Sequence, residues 1–317
     1  MPLPPETPEL ADLDLLLLVA RLGSVGKAAR AHGISQPSAS ARIQHVEHRL
    51  GLRLLERSRS GSRLTAEGVT VVQWAQGVIE AATELVAGAR ALRSAGHGRL
   101  RVAASMTVAE YLVPRWLVAL STRLPEVTVA LEAANSRGVV ELVRSGAVDV
   151  GFVEDLSPHT GLAERVVASD ELVIVVAPDH PWARSDGPLS REQLATGPFI
   201  QREPGSGTRE TLARVMGELS DGTAHLEFSS TTAIKEAVAA GAGAAALSIL
   251  AVGQELRQGQ LVRVPVEGVE LRRKLRAIWL RGVTLSESAT ALLRIAERQS
   301  PPGPKRSPAP SGTGAER

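Results

Sequence analysis

Three segments near the N-terminus place their apolar residues at helical spacing. Residues 13–22 are strongly apolar, a second segment follows Ser24 and ends near Gly33, and a third follows Ser35. Serine is a favoured N-cap, because its hydroxyl accepts a hydrogen bond from a free amide of the first turn, and glycine favours a helix end. The apolar face of the third segment consists of Ala39, Ile43, Val46 and Leu50. The pattern predicts a helix-turn-helix behind a supporting first helix.

The opposite face of the third helix is polar, and its residue types suit duplex DNA. In a helix-turn-helix the second helix of the pair lies in the major groove, where Gln pairs with adenine and Arg with guanine or phosphate. Pro37 stands in the first turn, where no amide is needed. The predicted DNA contacts of this helix are Ser35, Gln36, Pro37, Ser38, Ser40 and Arg42. The alternative is an ordinary helical hairpin whose polar face is only solvated.

Residues 52–64 alternate arginine with small residues around Ser60 and Gly61. This pattern predicts a two-stranded wing whose Arg59 and Arg63 reach the DNA backbone or the minor groove. Residues 10–64 hold nine basic and four acidic side chains, an excess of five positive charges. Such a local excess is typical of a nucleic-acid-binding surface, although a solvated basic face gives the same count.

Residues 65–93 form one long helical segment without proline, and Thr65 suits its N-cap. Its apolar residues recur at heptad spacing, at Val72, Ala75, Ile79, Ala82, Val86 and Ala89. A helix of this length spans roughly 40 Å and needs a partner for its apolar stripe. The simplest partner is the same helix of a second subunit, and the alternative is packing against the α/β domain of its own chain.

From residue 98 onward, β-branched runs alternate with helical patterns, which predicts an α/β domain. Residues 201–209 are its sharpest feature, because two glycines around Ser206 let backbone amides converge before a helix capped by Thr208. Arg209 would add a fork for an oxyanion. The alternative is a glycine turn with a solvent-facing arginine. Residues 300–317 are rich in Pro, Gly and Ser, and we predict that they are disordered.

Composition excludes several classes of protein. The chain of 317 residues is 44% hydrophobic and 22% charged and has no cysteine, so we predict a cytoplasmic protein without disulfides. No uncharged apolar run is long enough to span a membrane, and the first ten residues do not resemble a signal peptide. The seven histidines lack metal-ligand spacing, and residues 241–246 follow a helix rather than the strand of a dinucleotide fingerprint. We therefore expect no metal, cofactor or catalysis; a transport solute-binding protein and, last, an enzyme are the alternatives.

Several short runs together resemble the LysR family of transcriptional regulators. They are GSVGKAA at 23–29, ISQPSAS at 34–40, and LTAEG at 64–68, with Glu47, Leu50-Gly51 and LLER at 54–57 between them. The family's usual arginine directly after position 40 is displaced, because this chain has Ala41 and then Arg42. The resemblance implies a winged helix-turn-helix, a long linker helix and an effector domain like a periplasmic binding protein. It also implies a homodimer or homotetramer, an operator, RNA polymerase as a partner, and a small-molecule effector.

The resemblance implies domain bounds as well. These are 10–67 for the DNA-binding domain, 65–93 for the linker helix and 98–299 for the effector domain. Within the effector domain, subdomain one comprises 98–168 and 269–299, and subdomain two comprises 169–268. Strands are expected at 100–104, 128–131 and 148–153, and the two crossing segments near 168–171 and 264–268. The ligand is expected in the cleft between the subdomains.

The motif REPGSGTRE at 202–210 is similar to one found in LysR regulators associated with sulfur assimilation or carbon fixation. That similarity implies a small anionic effector. The residues expected to bind it are Ser105, Met106, Thr107, Asn135, Glu154, Arg202, Gly205, Ser206, Gly207, Thr208, Arg209, Ser230 and Thr231.

Overall fold

The computed structural model describes residues 2–58, 61–94, 98–155, 158–217 and 224–299. These residues form two compact units, which divide between Val86 and Ala87. No helix within these ranges is long and apolar enough to cross a membrane.

The first unit has the predicted helices and wing. Its elements are α1 (Leu10–Leu22), α2 (Val25–Ala31), α3 (Gln36–Leu50), β1 (Leu55–Ser58), β2 (Gly61–Leu64) and the start of α4 (Ala66–Ser94). Ser24 and Ser35 cap α2 and α3, as the sequence predicts, and Thr65 caps α4. The apolar faces of α1, α2 and α3 meet in one core that includes Leu16, Ala28 and Ile43.

The wing is held to the helices by hydrogen bonds at both of its ends. Glu47 of α3 accepts from the backbone amides of Leu54 at 2.7 Å and Leu55 at 3.1 Å. At the other end, the amide of Ser62 donates to the carbonyl of Gly23 at 3.0 Å. The wing and the helix pair are therefore one structural body.

The heptad stripe of α4 is only partly free for a partner. Ala75 is buried, and Val72 packs against the core of its own unit. Trp74 and Leu85, which are 67% and 75% exposed, lie outside the predicted stripe, whereas Val86 of the stripe is 51% exposed. The predicted stripe is thus corrected: its first turns serve intramolecular packing.

The second unit contains the α/β domain. Its strands are β3 (Arg99–Ser105), β4 (Thr128–Ala134), β5 (Val150–Val153), β6 (Leu162–Val176), β7 (Phe199–Arg202), β8 (Ala224–Phe228), β9 (Ala244–Ser248), β10 (Val262–Val264) and β11 (Arg272–Leu280). Its helices are α5 (Met106–Tyr111), α6 (Val113–Arg123), α7 (Ser136–Arg144), α8 (Arg191–Thr196), α9 (Gly207–Met216), α10 (Thr231–Ala239), α11 (Ile249–Gln258) and α12 (Glu287–Gln299), with a short 3-10 helix at Pro181–Arg184.

One continuous sheet runs through two subdomains. The described strands follow the order β4-β3-β5-β11-β6-β9-β7-β8, with β10 beside β6. Subdomain one contains β3 to β5, α5 to α7 and α12, and subdomain two contains β7 to β10 and α8 to α11; β6 and β11 pass through both. Each subdomain has its own apolar cores, one built around Trp116 and Phe152 and another around Ile174 and Phe199. The long antiparallel pair β6 and β11 is therefore the connection between them.

The second crossing was predicted wrongly at 264–268. Val262–Val264 forms β10 and pairs with β6 inside subdomain two. The chain then turns through Pro265, which lacks an amide donor, and Gly268, which has a positive φ. The crossing itself is the start of β11, where Arg272 to Leu275 pair with Glu171 to Ala168.

Candidate DNA-binding surface and effector cleft

The N-terminal turn of α3 presents the polar surface that the sequence predicts. Gln36, Pro37 and Ser38 are exposed, and Ser40 is half-buried. Ser35 accepts from the amide of Ser38 at 3.3 Å, and its hydroxyl donates to that of Ser38 at 3.0 Å. The capped turn therefore holds Gln36 in a fixed, accessible position.

Arg42 differs from its neighbours on this face. Its guanidinium Nη1 lies 3.8 Å from Oδ1 of Asp12, a buried carboxylate of α1, and 42% of its side chain is exposed. Arg42 thus connects α3 to α1, and only part of it is accessible for a base or phosphate. In the wing, Arg63 is exposed on β2, opposite Glu56, whereas Arg59 lies outside the described residues.

A fully buried arginine occupies the centre of the second unit. Arg273 of β11 donates from Nε to Oδ2 of Asp170 at 2.8 Å, and its Nη2 lies 2.7 Å from the same oxygen. Its terminal nitrogens also donate to the hydroxyls of Thr208 at 3.0 Å and Thr107 at 3.3 Å, and Nη2 lies 3.2 Å from Oε2 of Glu154. Three predicted effector residues from both subdomains therefore meet at one guanidinium.

The charge of this arginine is secured by its neighbours. Burial by itself lowers the pKa of Arg273, but the carboxylates of Glu154 and Asp170 more than offset this, so the pKa lies above its ordinary value. Ser248, the N-cap of α11, donates to the other oxygen of Asp170 at 2.7 Å. The cluster is a connected polar network with the charged Arg273 at its middle.

Two buried serine hydroxyls stand beside this network. Ser105 precedes α5 and Ser206 precedes α9, each at the N-cap position, yet neither side chain caps its helix. Both residues are 1% exposed, and both hydroxyl oxygens are without a hydrogen-bond partner among the described residues. A buried hydroxyl without a partner is costly, so these two atoms mark a place where a ligand is expected.

The loop at 203–208 contacts subdomain one directly. Asn135 donates from its amide to the carbonyl of Pro204 at 3.3 Å while capping α7, and the amide of Arg137 donates to the carbonyl of Gly205 at 3.2 Å. A Cβ on Gly207 would stand 2.8 Å from the backbone carbon of Glu154. Glycine at this position lets α9 pack on the end of β5, so the loop closes the gap between the two subdomains in this structure.

Two of the predicted cations are paired with carboxylates of the chain. Arg202 is buried and binds the carboxylate of Glu203 through two nitrogens, at 2.8 and 3.0 Å. Arg209 donates to the carbonyl of Arg202 at 3.0 Å and to Oε2 of Glu227 on β8 at 2.7 Å. The expected oxyanion fork at Arg209 is therefore corrected, because its guanidinium is turned toward β8 and already paired.

The remaining predicted residues lie at other helix starts. Ser230 caps α10 by accepting from the amide of Ala233 at 3.4 Å, and Thr231 is buried in the first turn. Met106 is half-buried at the start of α5. No contact of these three with Arg273 is found among the described residues.

Sequence reasoning missed Arg273, Asp170 and Ser248. A signal was present in β11, where Arg273, Leu275 and Ala277 are buried and alternate with exposed or half-buried residues. A charged residue at an inward position of an alternating strand indicates a buried ion pair. Its partner was not apparent, because Asp170 stands 103 positions earlier in the chain.

A histidine-carboxylate cluster adjoins the end of β5. Nε2 of His159 lies 3.0 Å from Oδ2 of Asp155, and Nδ1 lies 3.4 Å from Oε2 of Glu164. The hydrogen bond to Asp155 raises the pKa of His159, against an opposing effect of burial. Across the cleft, burial and the charge of Asp155 raise the pKa of Glu210 in α9.

Family models match nearly the whole chain. Residues 10–69 match the "Bacterial regulatory helix-turn-helix protein, lysR family", and residues 93–301 match the "LysR substrate binding domain". An uncharacterized HTH-type transcriptional regulator of Mycobacterium tuberculosis is 42% identical over 296 residues, covering 90% of this chain and 94% of the relative. A RuBisCO operon transcriptional regulator of Allochromatium vinosum is 29% identical, covering 89% and 93%.

Solved structures show the same fold. An OxyR variant of Corynebacterium glutamicum, bound to H2O2, matches with a TM-score of 0.56 and 24% identity, covering 92% of each chain. The regulatory domain of CcmR from Synechocystis, in complex with 2-PG, matches with a TM-score of 0.58 and 25% identity, covering 64% of this chain and 99% of that one. With a helix-turn-helix unit and a substrate-binding unit both matched, this chain belongs to the LysR family of transcriptional regulators, which are not enzymes.

Proposed function

We propose that α3 reads the operator through Gln36, Ser38 and Ser40, with Ser35 and Pro37 fixing its first turn. The observation that carries this is the exposure of Gln36 on a capped helix start. Arg63 of the wing and the accessible part of Arg42 supply phosphate contacts, as does Arg59 by its place in the sequence. This reading requires access to the chromosome, so we place the protein in the cytoplasm, where it meets RNA polymerase.

Footprinting of the DNA upstream of the gene tests this assignment. We expect a protected site, a loss of sequence selectivity in Gln36→Ala, and weaker binding to all sequences in Arg63→Ala. Gln260→Ala, an exposed glutamine of the second unit, is the matched control and should bind like the wild type. Equal selectivity of the Gln36 and Gln260 variants would contradict the proposal.

We further propose that a small anionic effector binds between α5 and α9, at the hydroxyls of Ser105, Thr107, Ser206 and Thr208. The buried, unpartnered oxygens of Ser105 and Ser206 support this, and so does the first turn of α9, which is a favourable position for negative charge. The 2-PG bound to the CcmR regulatory domain is consistent with an effector of this class. The contact that closes the site between the subdomains is made by Gly205, Gly207, Asn135 and Glu154. Arg202 and Arg209 stabilise the loop at 203–208 through their carboxylate partners.

Calorimetric titration of candidate anions tests the cleft. Ser206→Ala should weaken binding, whereas Arg209→Ala should act mainly on loop stability, because Arg209 is paired with Glu227. Thr122→Ala, an exposed hydroxyl of α6, is the control. Binding that is equal in the wild type and in Ser206→Ala would refute the site.

A homodimer or homotetramer follows from the exposed apolar residues of α4. Trp74, Val78 and Leu85 recur at helical spacing on a helix of 29 residues. We propose that a second copy of the helix covers them. This puts two recognition helices on one partly palindromic operator. The effector then favours one arrangement of the subdomains, and the linker helices pass the change to the DNA-binding units.

A further inference from the structure

The balance of charge in the cleft constrains the chemistry of the effector. Glu154, Asp155 and Asp170 are buried carboxylates, and the buried basic residues near them are Arg273, Arg202 and His159. Among the described residues, Arg273 is paired with Asp170, Arg202 with Glu203 and His159 with Asp155. Arg137 is exposed at the rim, where its charge acts on Glu210. Asp170 and Glu154 are therefore left to share the single positive charge of Arg273.

Glu154 is the carboxylate that most needs a further partner. It is 1% exposed, and its Oε2 accepts no hydrogen bond from any described residue, although Nη2 of Arg273 is 3.2 Å away. The donors of Arg273 are directed elsewhere, to Asp170, Thr208 and Thr107. A buried carboxylate oxygen without a donor is unfavourable, so a donor from outside the chain would be stabilising.

Glu154 stands next to the two unpartnered serines of the proposed site. Gly207, the residue after Ser206, packs against Cγ of Glu154, where an added Cβ would come within 2.8 Å. Thr107, two residues after Ser105, shares Nη2 of Arg273 with Glu154. One small molecule that reaches the serine hydroxyls therefore also reaches Oε2 of Glu154.

We propose that the effector carries, beside its anionic group, a hydroxyl or ammonium group that donates to Glu154. Small hydroxy acids and amino acids are the chemical class of effector that this proposal predicts. The inference rests on the proposed effector site between α5 and α9. A plain anion would add negative charge to a site that is already negative and would leave Glu154 without a donor. A hydroxyl supplies the missing donor, and an ammonium group supplies the donor and also offsets the added negative charge.

Matched sets of carboxylates test the inference on the full-length protein. Each set shares one carbon skeleton and differs only at the α-carbon: acetate, glycolate and glycine; propionate, lactate and alanine; succinate, malate and aspartate. The dissociation constant is measured for each by calorimetry, supported by the shift in melting temperature. In the set that binds, we expect the hydroxyl or ammonium member to bind about 10- to 100-fold more tightly than the unsubstituted one, as a charged hydrogen bond gives.

Two variants test whether the preference for the hydroxyl or ammonium member of a set depends on Glu154. Glu154→Gln keeps the shape of the side chain and removes its charge, so the preference should fall to less than about threefold. Glu141→Gln, an exposed residue of α7, should retain the full preference. If Glu154→Gln does not fold, the comparison within each set on the wild type still decides.

Three outcomes overturn the inference: equal binding within the sets, a preference that persists in Glu154→Gln, or no binding by any set at millimolar concentration. Equal binding that Ser206→Ala weakens leaves the anion site of the proposed function intact and removes only the donor. Binding unchanged by Ser206→Ala removes the site itself. Operator binding, measured separately, is independent of all three.

Discussion

Arg273 and Asp170 stand directly opposite each other on the two strands that join the subdomains, with two guanidinium nitrogens within 2.8 Å of one carboxylate oxygen. Because both side chains are fully buried, neither charge has access to water. The pair thus ties the crossing strands together at the base of the proposed effector site. It also gives Thr107 and Thr208, from opposite subdomains, a common partner.

Replacing Arg273 by methionine should destabilise the protein strongly. The change leaves Asp170 and Glu154 buried without a cation, and breaking a buried pair in this way costs about 3–5 kcal/mol. Urea denaturation measures the free energy of unfolding. Arg272→Met, the exposed neighbour on the same strand, is the control and should change it by less than about 0.5 kcal/mol. Equal values for the two variants would show that the pair contributes nothing.

Gly207→Ala should open the contact between α9 and β5. Its Cβ would lie 2.8 Å from the backbone of Glu154 and 2.9 Å from the amide of Asp155, so one of the two segments must move. We expect faster hydrogen exchange at 152–155 and 205–210 and weaker effector binding. Gly253→Ala on α11 meets nothing within 4 Å and should leave both unchanged. Unaltered exchange in Gly207→Ala would argue against a closed cleft.

Gly68→Ala should displace the wing from α4. A Cβ at this position would stand 2.2 Å from the carbonyl oxygen of Leu54, the residue directly before β1 of the wing. Overpacking of this kind costs about 1–3 kcal/mol. Gly77→Ala in the same helix has open space and should stabilise by about 0.5–1 kcal/mol. Thermal unfolding measures the change in stability of each variant, and we expect the two changes to have opposite signs. Changes of the same sign would contradict the close packing at Gly68.

His159 should make stability depend on pH. Its pKa is raised in the folded protein, so its contribution is full below the unfolded value of about 6.5 and is lost as the pH rises through the folded pKa. The destabilisation caused by His159→Gln should therefore be largest in mild acid and shrink on the alkaline side. It is measured by urea denaturation across that range.

His180 provides a control of opposite sign. Burial lowers its pKa, so the folded state loses stability as the pH falls below the unfolded value. The free energy of unfolding of His180→Gln, relative to that of the wild type, should therefore be most favourable in mild acid. The same trend in both variants would show that neither assignment is right.

Leu85→Glu should weaken self-association. The side chain is 75% exposed on α4, and a charge there opposes burial against a second copy. Sedimentation should show a shift toward the monomer and, with it, weaker operator binding. Leu3→Glu, exposed to a similar degree near the N-terminus, should leave the mass unchanged. A dimer that persists in Leu85→Glu would place the interface elsewhere.

The sequence predicted features that depend on nearby residues. Ser24, Ser35 and Thr65 were identified as N-caps because a cap and its helix lie within four positions of each other. The wing was recognisable from a turn between two short runs for the same reason. These signals sufficed for the DNA-binding unit.

The cleft required contacts that local patterns do not contain. Thr107 and Arg273 meet although they are 166 positions apart, and only the pairing of β6 with β11 brings them together. The orientation of Arg209 likewise depends on Glu227 of a neighbouring strand. The sequence placed Ser105, Thr107, Ser206 and Thr208 at helix starts, but it did not show that a protein cation already stands between them.

The two anchors of the wing have a consequence for how transcription is controlled. Because Glu47 fastens one end of the wing to α3 and Gly23 holds the other, we expect the described part of the reading surface to move as one body. Each half-site of the operator would then contact a DNA-binding unit of fixed shape. We expect the effector to change the distance and angle between the DNA-binding units of two subunits. Regulation would then appear as altered DNA curvature rather than altered base preference.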